Sequence, residues 1–346
     1  MPTLKLRIFW RRRLPRAYST FLFAFFLLFA TAWTATAQDT SDPLPSWNNG
    51  QAKQAIIDFV ARVTKDGGPD FVPPADRIVT IDNDGTLWTE QPMYTEFTFT
   101  FDRVKQLAPQ HPEWQTQQPF AALLHNDMKT LAASGDRGMF QLIVATHGGV
   151  TTDQFSQIVT DWLSHAEHPR FKRPYTECVY QPMIEAMAFL RANGFKTYIV
   201  SGGEQEFMRP WAERVYGIPP EQVVGTTLKT KFDTKDGSPV LDRLPQIDSI
   251  DDGPGKPENI GKFIGKRPIA AFGNSDGDQQ MLEWTASGPG PRLMVLVHHT
   301  DAEREYAYDR QSSVGRLDKA LDEANAKHWV VIDMKNDWKT IFPATK

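Results

Sequence analysis

Short apolar runs alternate with amphipathic patterns of helical period along most of the chain. Five runs have the length and composition of buried strands: 77–81, 195–200, 222–226, 268–272 and 293–297. Apolar residues at helical spacing lie between some of these runs, at 182–192 and 204–216, and a further helix is predicted at 51–63. Strands that alternate with helices are typical of βαβ units. We therefore expect an α/β fold with a Rossmann-like parallel sheet that helices cover on both faces.

The interval from about residue 90 to residue 182 interrupts this alternation, because its pattern is mostly helical. Its clearest helix follows Thr151, which has the spacing of a capping box with Gln154 and precedes an apolar stripe of helical period. We interpret the interval as a helical cap domain inserted into the α/β core. The alternative is an ordinary helical region of the same core.

The N-terminus has the features of a secretory signal. Basic residues without any acid occupy 1–16, an apolar run follows at 21–32, and Ala35-Thr36-Ala37 resembles a cleavage site. We therefore expect a secreted or periplasmic protein that starts at Gln38 and has no stable membrane association after cleavage; an uncleaved membrane anchor is the alternative. The predicted organisation has four parts: a signal peptide at 1–37, a lead-in and the start of the core at 38–89, the cap at 90–182, and the remainder of the core at 183–346.

Charge and cysteine content narrow the classes of function. The 346-residue chain has a formal net charge of −4, and loss of the basic signal would increase its acidic excess. A nucleic-acid partner requires a basic surface, so we expect none. Cys178 is the single cysteine and cannot form an intrachain disulfide.

Four polar signals lie at or near the predicted carboxyl ends of the strands, where open α/β sheets bind ligands. Asp82 and Asp84 follow the first strand, with Gly85 permitting a turn. Ser201 and Gly202 follow the second and suit phosphate oxygens, and Lys256 precedes a later helix. The fourth signal, after the strand at 268–272, contains Asn274, Asp276 and Asp278. Each signal alone is more typical of a turn or a surface group, but their order along the chain favours a magnesium site with phosphate chemistry.

In this order the four signals resemble the motifs of the haloacid dehalogenase superfamily, in the branch that carries a helical cap, as in phosphoserine phosphatases. The resemblance covers about residues 77–298. It implies that Asp82 is the nucleophile, Asp84 the general acid and base, Ser201 the phosphoryl-binding hydroxyl and Lys256 the charge stabiliser. It places Mg²⁺ on Asp82, Asp84, Asn274 and Asp278. Many members have Asp where this chain has Asn274, so we expect weaker metal affinity or a larger share for Asp278.

The predicted function is hydrolysis of a small phosphomonoester through an aspartyl phosphate on Asp82. Asp84 favours phosphate esters, because its proton can go to a leaving alkoxide. Glu90 is the candidate for substrate recognition, since phosphoserine phosphatases have an acid near this position that recognises the substrate amine; Gly202 is a second substrate-binding candidate. A phosphotransferase of the same fold, or a secreted binding protein without turnover, remain the alternatives.

Overall fold

The computed structural model describes residues 42–344; the predicted signal peptide lies outside the described residues. Their strands form one eight-stranded sheet. The strands are β1 (Ile78–Ile81), β2 (Lys196–Glu204), β3 (Val223–Lys235), β4 (Ser238–Ser249), β5 (Ala270–Gly273), β6 (Leu293–Thr300), β7 (Ala307–Tyr308) and β8 (Val330–Asp333).

The α-helices lie before, between and after these strands, and short 3₁₀ segments extend or connect several of them. They are α1 (Gln51–Thr64), α2 (Thr95–Leu107), α3 (Phe120–Leu124), α4 (Met128–Ala133), α5 (Gly135–His147), α6 (Thr152–Leu163), α7 (Gln181–Ala192), α8 (Gln205–Tyr216), α9 (Gly255–Asn259), α10 (Gln279–Ala286), α11 (Lys319–Lys327) and α12 (Met334–Asp337). A π-helical turn, Ile260–Ile264, continues α9. None of the helices within 42–344 is both long and apolar enough to cross a membrane.

The sheet confirms the predicted α/β class. Its order is β4-β3-β2-β1-β5-β6-β7, with β8 paired to β6. Strands β3, β2, β1, β5, β6 and β8 are joined by parallel pairs, and the short central strand β1 is buried at every position. All five predicted strands are present in this parallel part. The carboxyl ends of β1, β2 and β5 therefore share one edge.

The sheet also contains a long antiparallel hairpin that was not predicted. Strand β3 continues well beyond the predicted 222–226 and pairs with β4 from Thr227↔Ser249 to Lys235↔Ser238. Asp236 and Gly237 form the turn with φ values of 49° and 79°, which is the Asp-Gly signal of a tight hairpin. The hairpin carries Arg243, whose buried guanidinium reaches the helical segment between β1 and β2.

The segment between β1 and β2 is helical and contains no strand in the structure, as the pattern predicted, and the capping box of Thr151 and Gln154 is present. Its helices pack in two places. Helices α2 to α5 share a separate apolar cluster that includes Val104, Trp114 and Leu142. Helix α6 instead contributes Phe155 and Val159 to the main core, together with strand β1. The helices that share their own apolar cluster, α2 to α5, therefore span a shorter stretch of chain than the predicted cap at 90–182.

Candidate active site

The ends of three parallel strands bring the first, second and fourth sequence signals together. Ile81 of β1 pairs with Ile199 of β2 and with Phe272 of β5, so the residues that follow these positions lie side by side. Asp82 begins directly after β1, and its main-chain N–H donates to the carbonyl of Phe272 at 3.0 Å. This pairing fixes the backbone of Asp82 against the strand that leads to Asn274.

Lys256, at the start of α9, connects the first and fourth signals. Its Nζ donates to Oδ1 of Asp82 and to Oδ1 of Asp278, both at 2.6 Å, and to the carbonyl of Val200 at 2.9 Å. Burial would lower the pKa of the Lys256 ammonium, but the carboxylates of Asp278 and Asp82 outweigh it and raise that pKa. Lys256 is therefore a fixed positive charge beside Asp82.

Asp278 has a different environment from the one expected of a metal ligand. Its Oδ1 is bound to Lys256. Its Oδ2 accepts from the main-chain N–H groups of Asn274 at 2.9 Å and Ser275 at 3.0 Å, and from the Ser275 hydroxyl at 3.2 Å. Both oxygens are thus engaged with the protein. Asp278 holds the loop after β5 and positions Lys256, and a metal role for it stays a prediction.

Of the two acids that follow β1, Asp82 contacts Lys256 and Asp84 does not. Its Oδ1 accepts from the indole Nε1 of Trp88 at 2.9 Å, and its Oδ2 lies 3.4 Å from Nδ2 of Asn83. Withdrawal from water raises the pKa of Asp84 to about 6, although the bond from Trp88 opposes this change. A carboxyl group with this pKa can exchange a proton near neutral pH, which suits a general acid and base.

The turn after Asp82 is closely packed against its neighbours. Gly85 has a φ of 78°, and a Cβ there would lie 2.1 Å from Nδ2 of Asn274. The hydroxyl of Thr86 donates to Oδ1 of Asn274 at 3.0 Å and lies 3.3 Å from Oδ2 of Asp82. Nε2 of His299 contacts the carbonyl of Gly85 at 2.8 Å. His299 therefore supports this turn, a contact that no local sequence pattern predicts.

A cavity of about 450 Å³ opens above these residues. Six of the predicted site residues line it: Asp82, Asp84, Glu90, Ser201, Gly202 and Lys256. Ser201 is buried, and its Oγ accepts from the main-chain N–H of Gly203 at 3.2 Å. The cavity also contains Tyr94, Phe97 and Phe140 from the helical segment, so that segment covers the strand ends.

Acidic side chains dominate the cavity wall. Lys256 is its one basic residue among the described residues, whereas seven lining residues are acidic: Asp82, Asp84, Glu90, Glu96, Asp136, Glu204 and Asp252. Glu96 comes from α2, and its Oε2 accepts from the main-chain N–H of Glu204 at 2.8 Å. Burial raises the pKa of Glu96 and of Glu204 to about 7. An anionic substrate would be repelled here without an added cation.

The donor set suits one hard cation. Within residues 42–344 no three acidic, histidine or cysteine side chains converge as a metal-binding group. The Thr86 hydroxyl nevertheless lies 3.3 Å from Oδ2 of Asp82 and 3.0 Å from Oδ1 of Asn274, so these two oxygens are close to each other. Among the described residues, no backbone hydrogen bond reaches the main-chain oxygen of Asp84. A carboxylate, an amide oxygen and a main-chain oxygen fit Mg²⁺, which binds a few protein oxygens and keeps several waters.

Comparisons with known proteins identify similarity at the level of family and fold. The family model described as haloacid dehalogenase-like hydrolase matches residues 79–283. A search of curated proteins gave no significant match. A conserved protein of unknown function from Anaerococcus prevotii has 16% identity and a TM-score of 0.51, with 80% of this chain and 88% of that chain covered. Its similarity concerns the fold.

Two further solved structures are similar at lower TM-scores. A protein of unknown function from Bordetella pertussis has 16% identity and a TM-score of 0.46, with 75% of this chain and 98% of that chain covered. A phosphoserine phosphohydrolase-like protein from Francisella tularensis has 15% identity and a TM-score of 0.33, with 64% and 87% covered.

Proposed function

This chain belongs to the haloacid dehalogenase-like hydrolase family, and from that membership we propose that it is a magnesium-dependent phosphomonoesterase with Asp82 as its nucleophile. The observation that carries the proposal is the pair of hydrogen bonds from Lys256 to Asp82 and to Asp278, beside a cavity that also contains Asp84 and Ser201. The Asp82 carboxylate lies at a strand end and is held there by the Lys256 ammonium. This placement suits attack on phosphorus better than it suits the role of a structural ion pair at the surface.

The proposed reaction has two steps. An oxygen of Asp82 forms a bond to phosphorus while the ester P–O bond breaks, and Asp84 gives its proton to the leaving oxygen. Asp84, now ionised, then takes a proton from the water that hydrolyses the aspartyl phosphate and releases phosphate. A pKa of about 6 allows Asp84 to serve in both directions.

The remaining groups bind and orient the phosphoryl group. Ser201 and the main chain at Gly202 supply donors for its oxygens, and Lys256 offsets part of its charge. Asp82, Asn274 and the main-chain oxygen of Asp84 would hold Mg²⁺, which when bound neutralises further negative charge between nucleophile and phosphate. The cavity volume of about 450 Å³ suits a small substrate. Export from the cytoplasm rests on the N-terminal sequence alone and stays a prediction.

A phosphate-release screen over small phosphomonoesters, with and without Mg²⁺, tests the proposal. Wild type should release phosphate only with the metal, and Asp82→Asn should reduce the rate by at least about 10³-fold, because Asp82 is the proposed nucleophile and is the cavity carboxylate that directly follows β1 and contacts Lys256. Asp66→Asn, at an exposed position that does not line the cavity, is the matched control. A wild type without phosphate release, or an Asp82→Asn variant as active as the control, would contradict the proposal. Transfer of phosphate to an added alcohol would identify the phosphotransferase alternative.

A further inference from the structure

Glu90 and Asn274 form a buried pair beside the proposed metal site. Oε1 of Glu90 accepts from Nδ2 of Asn274 at 2.7 Å and from the hydroxyl of Tyr308 at 2.7 Å. Glu90 and Asn274 are each only 1% exposed. The sequence assigned Glu90 to substrate recognition, but Oε1 already has two donors from the protein.

Two glycines leave room for this carboxylate. A Cβ on Gly85 would lie 2.4 Å from Oε1 of Glu90, and a Cβ on Gly315 would lie 1.7 Å from the same atom. Both glycines have positive φ values, 78° and 62°. The backbone at Gly85 and the backbone at Gly315 thus approach Glu90 more closely than a residue with a Cβ atom would allow. The position of the carboxylate is therefore defined by the backbone around it.

The contact decides which end of the Asn274 amide faces Asp82. An asparagine can bind a cation through its oxygen and not through its NH₂ group. Glu90 accepts from the NH₂ group, while Oδ1 lies on the side of Thr86 and Asp82. Rotation of the amide by 180° would place Oδ1 against the Glu90 carboxylate, an acceptor against an acceptor. Glu90 therefore keeps the oxygen directed at the metal position.

The pair also bears on why position 274 has an amide where many family members have an acid. The NH₂ group of Asn274 donates to the Glu90 carboxyl group, which an aspartate at this position could not do. An aspartate at position 274 would instead place two carboxylate oxygens against each other in a buried location, which is strongly unfavourable. We propose that Glu90 is a positioning residue of the magnesium site, which keeps the oxygen of Asn274 directed at the metal position. This inference rests on the magnesium site of the proposed function.

Isothermal titration with Mg²⁺ alone, without substrate, tests the proposal on four proteins: wild type, Glu90→Gln, Asn274→Asp and the double variant. Glu90→Gln should raise the Kd for Mg²⁺ by about 10- to 100-fold, the usual loss when a residue that orients a metal ligand is changed. Asn274→Asp should bind no more tightly than wild type despite its added acid. The double variant should return to within about threefold of wild type, since its glutamine amide can donate to the new carboxylate.

The recovery in the double variant separates positioning from damage to the fold, because a second substitution at a buried site does not repair a general loss of structure. A Glu90→Gln variant with the Kd of wild type would overturn the proposal, as would an Asn274→Asp variant that binds more tightly while Glu90 is intact. If Glu90 recognises substrate instead, Glu90→Gln leaves the Kd for Mg²⁺ unchanged and raises KM. A wild type that does not bind Mg²⁺ would contradict the proposed function itself, before the variants are compared.

Discussion

The indole Nε1 of Trp88 donates a 2.9 Å hydrogen bond to Oδ1 of Asp84, four residues earlier in the chain. Trp88 is buried and stacks on Trp211 of α8, with ring centroids 4.5 Å apart. The stack fixes the indole, and the indole in turn fixes the carboxyl group. Asp84 therefore has a defined orientation in the free protein, which favours proton transfer at a set position.

Trp88→Phe should raise the pKa of Asp84. The hydrogen bond from Trp88 favours the ionised carboxylate, so its loss favours the protonated form. We expect the alkaline limb of the kcat profile, where the general acid loses its proton, to move upward by roughly 1 unit, which corresponds to about 1.4 kcal/mol. Trp211→Phe removes the other indole of the stack, whose Nε1 bonds to Phe207 and not to Asp84, and is the matched control. Equal shifts in both variants would assign the effect to packing.

Asp84→Asn should affect substrates according to their leaving groups. An alkoxide needs a proton as the ester bond breaks, whereas nitrophenolate does not. We therefore expect the rate of the first chemical step to fall by about 10²- to 10⁴-fold for alkyl phosphates and much less for nitrophenyl phosphate. Single-turnover measurements isolate this step from the hydrolysis of the aspartyl phosphate. The same loss with both substrates would argue against Asp84 as the acid.

Arg243 connects the hairpin to the helical segment and the core. Its Nη2 donates to Oε2 of Glu204 at 2.8 Å, and its Nε donates to the carbonyl of His147 at 2.9 Å. Its guanidinium lies 4.2 Å from the ring centroid of Phe155. Both Arg243 and Glu204 are 1% exposed. Removal of the arginine alone would leave a buried carboxylate without its counter-charge.

Arg243→Met should lower the free energy of unfolding by about 3–5 kcal/mol at pH 8. The loss should be smaller at pH 5. Burial already raises the pKa of Glu204 to about 7, so at pH 5 the variant can keep this residue protonated and avoid the unpaired charge. Urea unfolding at the two pH values measures the difference. Arg62→Met, at the exposed pair of Arg62 and Asp70, is the control and should leave the free energy of unfolding nearly unchanged. An equal loss in both variants would show that the unpaired charge of Glu204 is not the cause.

The parallel sheet could be predicted, and four groups of candidate site residues could be proposed, because their signals are local. A buried strand is a short apolar run, and Asp82 and Asn274 are the polar residues that follow two such runs. The hairpin was also within reach of the sequence, through Asp236-Gly237, but β3 was expected to end near residue 226. A strand whose first part is buried and whose second part is exposed does not have one continuous pattern.

The roles of Asp278 and Glu90 depend on tertiary contacts that the sequence does not specify. The sequence is compatible with Asp278 as a metal ligand. In the structure Lys256 donates to one of its oxygens, and main-chain N–H groups of the loop donate to the other. Glu90 meets Asn274 across 184 positions. Its spacing from Asp82 indicated a residue near the site, but its hydrogen-bond partners follow from where the loops carrying Asn274 and Tyr308 fold back on it.

Gly315→Ala tests whether the backbone around Glu90 sets the metal affinity. The new Cβ would lie 1.7 Å from Oε1 of Glu90, so the carboxylate must move away from Asn274. We expect the Kd for Mg²⁺ to rise at least about tenfold. Gly290→Ala is the matched control, because its φ of 76° imposes a similar backbone cost while nothing lies within 4 Å of its Cβ. Both variants should lose similar thermal stability, but only Gly315→Ala should weaken Mg²⁺ binding. If both weaken it equally, backbone strain accounts for the change; if neither does, the position of Glu90 has no influence on the metal.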